Sequence, residues 1–342
     1  MDDEVIVLTN SDKSVIKVIG HVDGVRSCSG IYAKALLSVY AWGTKKYSTN
    51  GVYAQTTSIN QSQLSVMQTN TARSLIYVVS PGLDQWSLTV DAYSKSSLAK
   101  TTYQVNLWIE PFISLFTSYG FNKTECSVSP QSVFCDTSGD VYINIDYTGD
   151  QIIYKRYAPG FVRLNNKLEF LDTWTHNYGI GAYYTPPSRQ GGSIASGNIF
   201  LADGTDGTLY YPSVRVLDQT SYASIAVKAL PGTAYTLCQA VLATATTGYA
   251  IYYVTSSGYS STMLCIFDTS TLATIKTVTL EPPHFSVGGA DLALLNSGLV
   301  AFIRYHDPNG AYTTKMIKLT LDGTIQSGAV MGVEYLYFVT VA

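Results

Sequence analysis

The 342-residue chain carries 21 Lys and Arg against 24 Asp and Glu, and its charged fraction of 13% is about half the ~25% of an ordinary soluble domain. Hydrophobic residues make up 46%, enough for a large core and against disorder. No basic run exceeds Lys45-Lys46 or Lys155-Arg156, so the basic stripe of a nucleic-acid binder is missing, and no apolar run reaches the ~18 residues that span a bilayer.

From the N-terminus onward, the apolar segments are short, rich in Val, Ile, Thr and Tyr, and bounded by Gly, Asn, Asp and Ser, which predicts strands. The start, MDDEVIVLTN, is acidic and reads as a strand rather than a signal peptide. EVIVLTNSDKSVIKVIG predicts a hairpin over Glu4–Gly20. LLSVYAW and RSLIYVVS are strand candidates, and WSLTVDAYSKSSLAKTTYQVNL reads as strand, turn, strand. EPFISLFTSYGFNKTECSVSPQ is longer than an ordinary connection and predicts an inserted loop over about 110–135. Inside it, Cys126 and Cys135 enclose eight residues around Pro130. That spacing fits a pinched loop closed by a disulfide, with two unrelated buried thiols as the alternative; no CxxC or paired His points to zinc. DVYINIDY, DQIIYKRY with NKLEFLD, and NIFLAD continue the strand pattern. Cys238 and Cys265 fall in apolar runs and read as core thiols.

VRVLDQTSYASIAVKAL (Val214–Leu230) and LCIFDTSTLATIKTVTL (Leu264–Leu280) share one frame of apolar strand, Asp turn and apolar strand, with 50 residues between Asp218 and Asp268. Aspartate suits the turn because its carboxylate accepts backbone N–H groups there. Units of about 50 residues, each of about four strands, are the signature of a β-propeller, with paired β-sandwiches as the chief alternative. Third strands fall near residues 5, 52, 88, 152, 214, 263 and 315, which counts seven blades, with six as the alternative. The Glu4–Gly20 hairpin and the apolar strand Glu334–Val341 are complementary, so strands from both termini are expected to close the ring. The whole chain, 1–342, reads as one all-β propeller domain.

The repeat thus resembles β-propellers of the irregular kind, without the Gly-His and Trp-Asp pairs of WD repeats or the regular Gly-Gly doublets of kelch repeats. In its Tyr-, Thr- and Ser-rich, charge-poor composition the chain is similar to virion surface proteins of viruses infecting thermoacidophilic archaea, and to some phage receptor-binding modules. That resemblance implies a virion or extracellular location, with other surface proteins and a host glycan or receptor as partners.

Catalytic motifs are scarce. G-x-S-x-G, Walker and dinucleotide motifs are absent, and GGSIASG (Gly191–Gly197) reads as a hairpin turn. His21, His176, His284 and His306 are scattered; His306 precedes the turn signal DPNG. Asp203 and Asp206 lie in a Gly-rich stretch that could offer oxygens to calcium or simply turn. Asp146, Glu110 and Glu169 are strand-like carboxylates, but none can be paired with a second, as glycoside hydrolysis requires; they read as strand-edge or solvent-facing. No cofactor is expected. Binding residues stand out better: His176, Tyr178, Tyr183, Tyr184 and Arg189 cluster among Gly and Pro, and Tyr210 and Tyr211 follow. Rigid rings with adaptable polar neighbours suit glycan or protein recognition; packing between blades is the competing explanation. Asn60-Gln-Ser and Asn122-Lys-Thr are N-glycosylation sequons, relevant where the chain meets a glycosylating machinery. The expected function is a non-enzymatic virion or cell-surface propeller with a structural or attachment role. A glycan-acting propeller hydrolase and an intracellular interaction scaffold are the alternatives.

Overall fold

The computed structural model describes residues 5–9, 15–21, 31–38, 41–47, 53–61, 66–69, 74–118, 120–151, 154–175, 191–204, 211–233, 236, 238–284, 286–295, 297–306, 312–330 and 336–341. Strands β1 (Val5–Thr9) and β2 (Val15–His21) form a two-stranded hairpin of their own. Then follow β3 (Ile31–Ser38), β4 (Ala41–Tyr47) and β5 (Tyr53–Gln61). The second blade is β6 (Val66–Thr69), β7 (Leu75–Pro81), β8 (Ser87–Ser94) and β9 (Lys100–Asn106). Helix α1 (Phe112–Ser118) precedes the third blade, β10 (Cys126–Cys135), β11 (Val141–Gln151), β12 (Tyr154–Leu164) and β13 (Phe170–Thr175). The fourth is β14 (Gly192–Ala195), β15 (Asn198–Gly204), β16 (Pro212–Asp218) and β17 (Ser224–Ala229). The fifth is β18 (Cys238–Ala243), β19 (Thr247–Ser256), β20 (Tyr259–Asp268) and β21 (Thr274–His284). The sixth is β22 (Ser286–Leu295), β23 (Gly298–His306), β24 (Tyr312–Leu319) and β25 (Ile325–Val330). Strand β26 (Leu336–Val341) ends the chain and pairs antiparallel with β3, Leu336 opposite Ala35 and Val341 opposite Ile31.

Each blade is a four-stranded antiparallel meander, and the first has the order β26-β3-β4-β5. The first strands of the blades pack in a ring: β26 on β6, β6 on β10, β10 on β14, β14 on β18, β18 on β22, and β22 on β26. The structure is therefore an all-β propeller, and the expectation of seven blades is corrected. The described residues form six four-stranded sheets. The pattern that suggested a seventh is the β1–β2 hairpin, which among the described residues carries no third or fourth strand. The expected closure is corrected with it: the hairpin over Glu4–Gly20 does not join the C-terminal strand, which instead supplies the inner strand beside β3.

The frame shared by Val214–Leu230 and Leu264–Leu280 is the outer hairpin of the fourth and fifth blades, β16–β17 and β20–β21. Asp218 Oδ1 accepts from the backbone of Thr220 and Ser221 and from the Ser221 hydroxyl, at 3.0, 2.7 and 2.8 Å. Asp268 Oδ1 does the same with Ser270 and Thr271. Both turns close through a residue at positive φ, Tyr222 at 57° and Leu272 at 58°. Strand alternation then sends one face of each blade to each neighbour. Phe200, Val214 and Val216 meet Tyr252, Cys265 and Phe267 between the fourth and fifth blades. Ile251, Leu264 and Ile266 meet Leu299, Ile303 and Ile317 between the fifth and sixth.

The insertion is shorter than expected. Residues 126–135 are not a loop but β10, an inner strand paired along its length with β11. What remains is α1 and a capped turn, whose Phe112, Phe116 and Phe121 bury against Trp86. The Cys126–Cys135 disulfide falls for the same reason. The two cysteines are not bridged to each other and stand at opposite ends of a ten-residue strand, about 30 Å apart at ~3.4 Å per residue, against the ~7 Å limit for a bridge. Pro130 is tolerated because β10 is a sheet edge with a bulge between Pro130 and Ser132.

Candidate functional site: the axial channel and its polar end

The inner strands bulge. Gln131 lies in the bulge of β10, Gln239 in that of β18 and Gly288 in that of β22. A bulge leaves one residue unpaired and re-aims its side chain. Gln131 and Gln239 accordingly line an axial cavity of about 60 Å³, together with Gln68 of β6, Asp291 of β22 and the backbone of Gly191 and Gly192. The amides are partly engaged already: Gln131 Nε2 donates to Ser129 Oγ at 3.1 Å, and Gln68 Oε1 accepts from Thr69 N at 3.0 Å. Asp291 Oδ2 stands 3.7 Å from Arg304 Nη1. The space holds a few waters and is far below the ~300 Å³ of a typical ligand pocket.

Buried polar groups gather toward one end of the blades, where second strands turn into third strands. On β15, Asp203 Oδ2 accepts from Arg215 Nε of β16 at 2.6 Å, and both are buried. Between the fifth and sixth blades, Glu281 is 4% exposed and binds two donors, His284 Nε2 at 3.0 Å and Lys315 Nζ at 2.5 Å. The His284 ring stacks on Tyr305 at 3.9 Å, so the contact clasps blade to blade. On β11, Asp146 is 3% exposed and its Oδ1 has no hydrogen-bond partner. Burial pushes its carboxyl up to about 7. The opposite end is governed by exposed turn carboxylates. Hydrogen bonds from Ser270 and Thr271 hold Asp268 down at about 2, and those from Ser221 and Thr220 lower Asp218.

His176, Tyr178, Tyr183, Tyr184, Arg189 and Tyr210 lie outside the described residues, as does Asp206. Tyr211, just before β16, is 39% exposed. Most other described tyrosines are interior, among them Tyr142, Tyr249 and Tyr252. Asp203 does not sit in an open turn able to bind calcium; it is in β15 and engaged by Arg215. Glu110 and Glu169 are exposed, accepting from Ser114 N and Asn165 Nδ2, whereas Asp146 is buried rather than solvent-facing. Sequence reasoning missed Arg215, Glu281 and Lys315 and read His284 only as a scattered histidine: Arg215 and Lys315 find their partners on other strands, and the Glu281–His284 pair within β21 is completed by Lys315 and Tyr305 of the next blade. Of the bulge glutamines, Gln239 carried no signal beyond an amide inside an apolar run, and Gln131 stood in a Ser-Pro segment that read as a loop. Among the described residues no three His, Cys, Asp or Glu group as metal ligands, and no helix is long and apolar enough to cross a membrane.

No protein-family model and no curated protein sequence matches the chain. Solved structures do. TolB from Acinetobacter baumannii is similar over 93% of this chain and 67% of its own, at 12% identity and TM-score 0.55. An exo-1,5-alpha-L-arabinanase from a bovine ruminal metagenomic library aligns over 77% and 97%, at 11% identity and TM-score 0.44. Kuenenia stuttgartiensis hydrazine synthase aligns over 82% and 71%, at 11% identity and TM-score 0.46. At such identities the likeness to TolB concerns the fold alone, and that fold is the β-propeller.

Proposed function

We propose that this chain is a non-enzymatic β-propeller of a virion or cell surface, with a structural or attachment role toward a glycan or protein partner. The setting that best fits its composition is the virion of a virus of thermoacidophilic archaea. The observation that carries the reading is the engagement by cations of buried and half-buried acidic groups other than Asp146. Asp203 is answered by Arg215, Glu281 by Lys315 and His284, and Asp291 by Arg304, the pattern of joints rather than of a reaction centre. The axial channel is too narrow for a sugar ring, so recognition belongs to the outer surface. Strand β13 ends with Thr175 beside Gly160, next to the level of Asp146, and in sequence it is followed by the tyrosine-rich stretch 176–190. A charge-poor surface has few ion pairs to lose in acid, and Asp146 is neutral below about pH 7.

A broad glycan array at neutral and acidic pH tests this. Binding that disappears in Tyr183→Ala/Tyr184→Ala supports attachment through that stretch; binding unchanged in the variant removes it as the site. One observation favours the hydrolase alternative, since a carboxyl held protonated near neutrality suits a general acid. Turnover of aryl glycosides that is lost in Asp146→Asn would replace the non-enzymatic reading.

A further inference from the structure

Two N-glycosylation sequons stand in the sequence, and the fold treats them differently. Asn60 lies inside β5, its backbone paired with Gly43 of β4, beside the buried Ile59. Asn122, Lys123 and Thr124 lie in the turn between α1 and β10, and all three are exposed. This turn is held firmly. Asn122 N donates to Glu125 Oε2 at 2.9 Å, and Lys123 O accepts from Gln85 Nε2 at 2.7 Å and from Trp86 Nε1 at 2.8 Å.

Within the turn, Asn122 Oδ1 accepts twice from Thr124, from its backbone N at 2.9 Å and its hydroxyl at 2.5 Å. Two donors on one amide oxygen draw charge toward it, which makes the Nδ2–H easier to lose. Among the described residues Nδ2 itself donates to no group. The residue type at the third position matters for this geometry, because only a hydroxyl can supply the second donor.

We propose that Asn122 is an N-glycan acceptor site, and that the fold selects it over Asn60. In the step, Asn122 Nδ2 bonds to the anomeric carbon of a lipid-diphosphate-linked oligosaccharide. The bond from that carbon to the diphosphate oxygen breaks, the lipid diphosphate leaves with the electron pair, and the amide proton passes to a base of the transferase. The proposal rests on the surface reading, since only a chain that meets a glycosylating membrane meets this donor. The glycan would project from the insertion between the second and third blades, away from the blade joints.

The test is to secrete the full chain behind a cleavable leader from a glycosylating eukaryotic host, then map peptides before and after glycosidase release. The expected result is one glycan, on the peptide containing Asn122. It should vanish in Asn122→Gln and Thr124→Ala and persist in Thr124→Ser and Asn60→Gln, with all four variants showing the wild-type thermal transition within a few degrees. An unmodified Asn122, while a control sequon protein from the same cells is modified, overturns the proposal; equal occupancy at Asn60 overturns the selection. Peptide mapping of the chain from its natural source separates the two readings. An unmodified Asn122 on a surface-located chain sinks the acceptor site alone. A chain found on no surface sinks the surface reading, while the acceptor result from the secreting host still stands.

Discussion

Replacing Asp146 with Asn should change how stability depends on pH. The carboxyl is 3% exposed, has no partner on Oδ1, and is raised by burial from 3.8 to about 7. The folded state therefore binds its proton more tightly than the unfolded chain. Between about pH 4 and 7 the native form holds the extra proton, so stability falls as pH rises through that window and levels off above it. The gap between 3.8 and about 7 corresponds to at most about 4 kcal/mol, at ~1.4 kcal/mol per tenfold. An amide of the same shape never ionises. Asp146→Asn should match the wild type near pH 4 and be more stable by about 2–4 kcal/mol at pH 8. Urea unfolding at intervals from pH 4 to 8 measures this. Parallel pH profiles for the two proteins would refute the reasoning, because they would mean that Asp146 ionises freely or has a donor in the fold.

Three further outcomes follow from the joints and thiols. Arg215→Met strips the buried Asp203 of its ion pair and should cost about 3–5 kcal/mol in denaturant unfolding, with Asp203→Leu added to Arg215→Met recovering most of it. Asp268, held down by Ser270 and Thr271, should titrate near pH 2 by NMR, and its contribution to the turn, fully present above its ordinary 3.8, should be lost only as pH falls through about 2. Cys126 and Cys135 should map as unbridged peptides without reductant. Burial pushes Cys126 up to about 11 and Cys135 further, so both should resist thiol reagents until the protein unfolds.

The propeller was legible because its outer hairpins carry local chemistry. Asp218 and Asp268 each make their turn with neighbours two and three residues on, so the motif is written in adjacent letters. The count of blades was harder to read. The β1–β2 hairpin has the same apolar-turn-apolar pattern as a blade edge, and nothing local says that it lacks partners. Cys126–Cys135 looked like a loop because proline and serine signal turns, yet an inner strand is a sheet edge where a bulge accommodates Pro130. Asp146 could be placed on a strand from the sequence, but not its burial, which depends on the packed blades, and Asp203 read as a turn residue because glycines follow it. Glu281 and His284 are neighbours on β21, but Lys315 reaches Glu281 only because two blades pack together, a contact that spacing along the chain does not encode.

The central claim is that this propeller works at a surface, and labelling of intact particles or cells from the natural source tests it most directly. Antibody raised against the folded chain should bind intact virions or cells, and mild external protease should remove the signal without lysis. Signal that emerges only after lysis would contradict the account and return the chain to the interior of the cell.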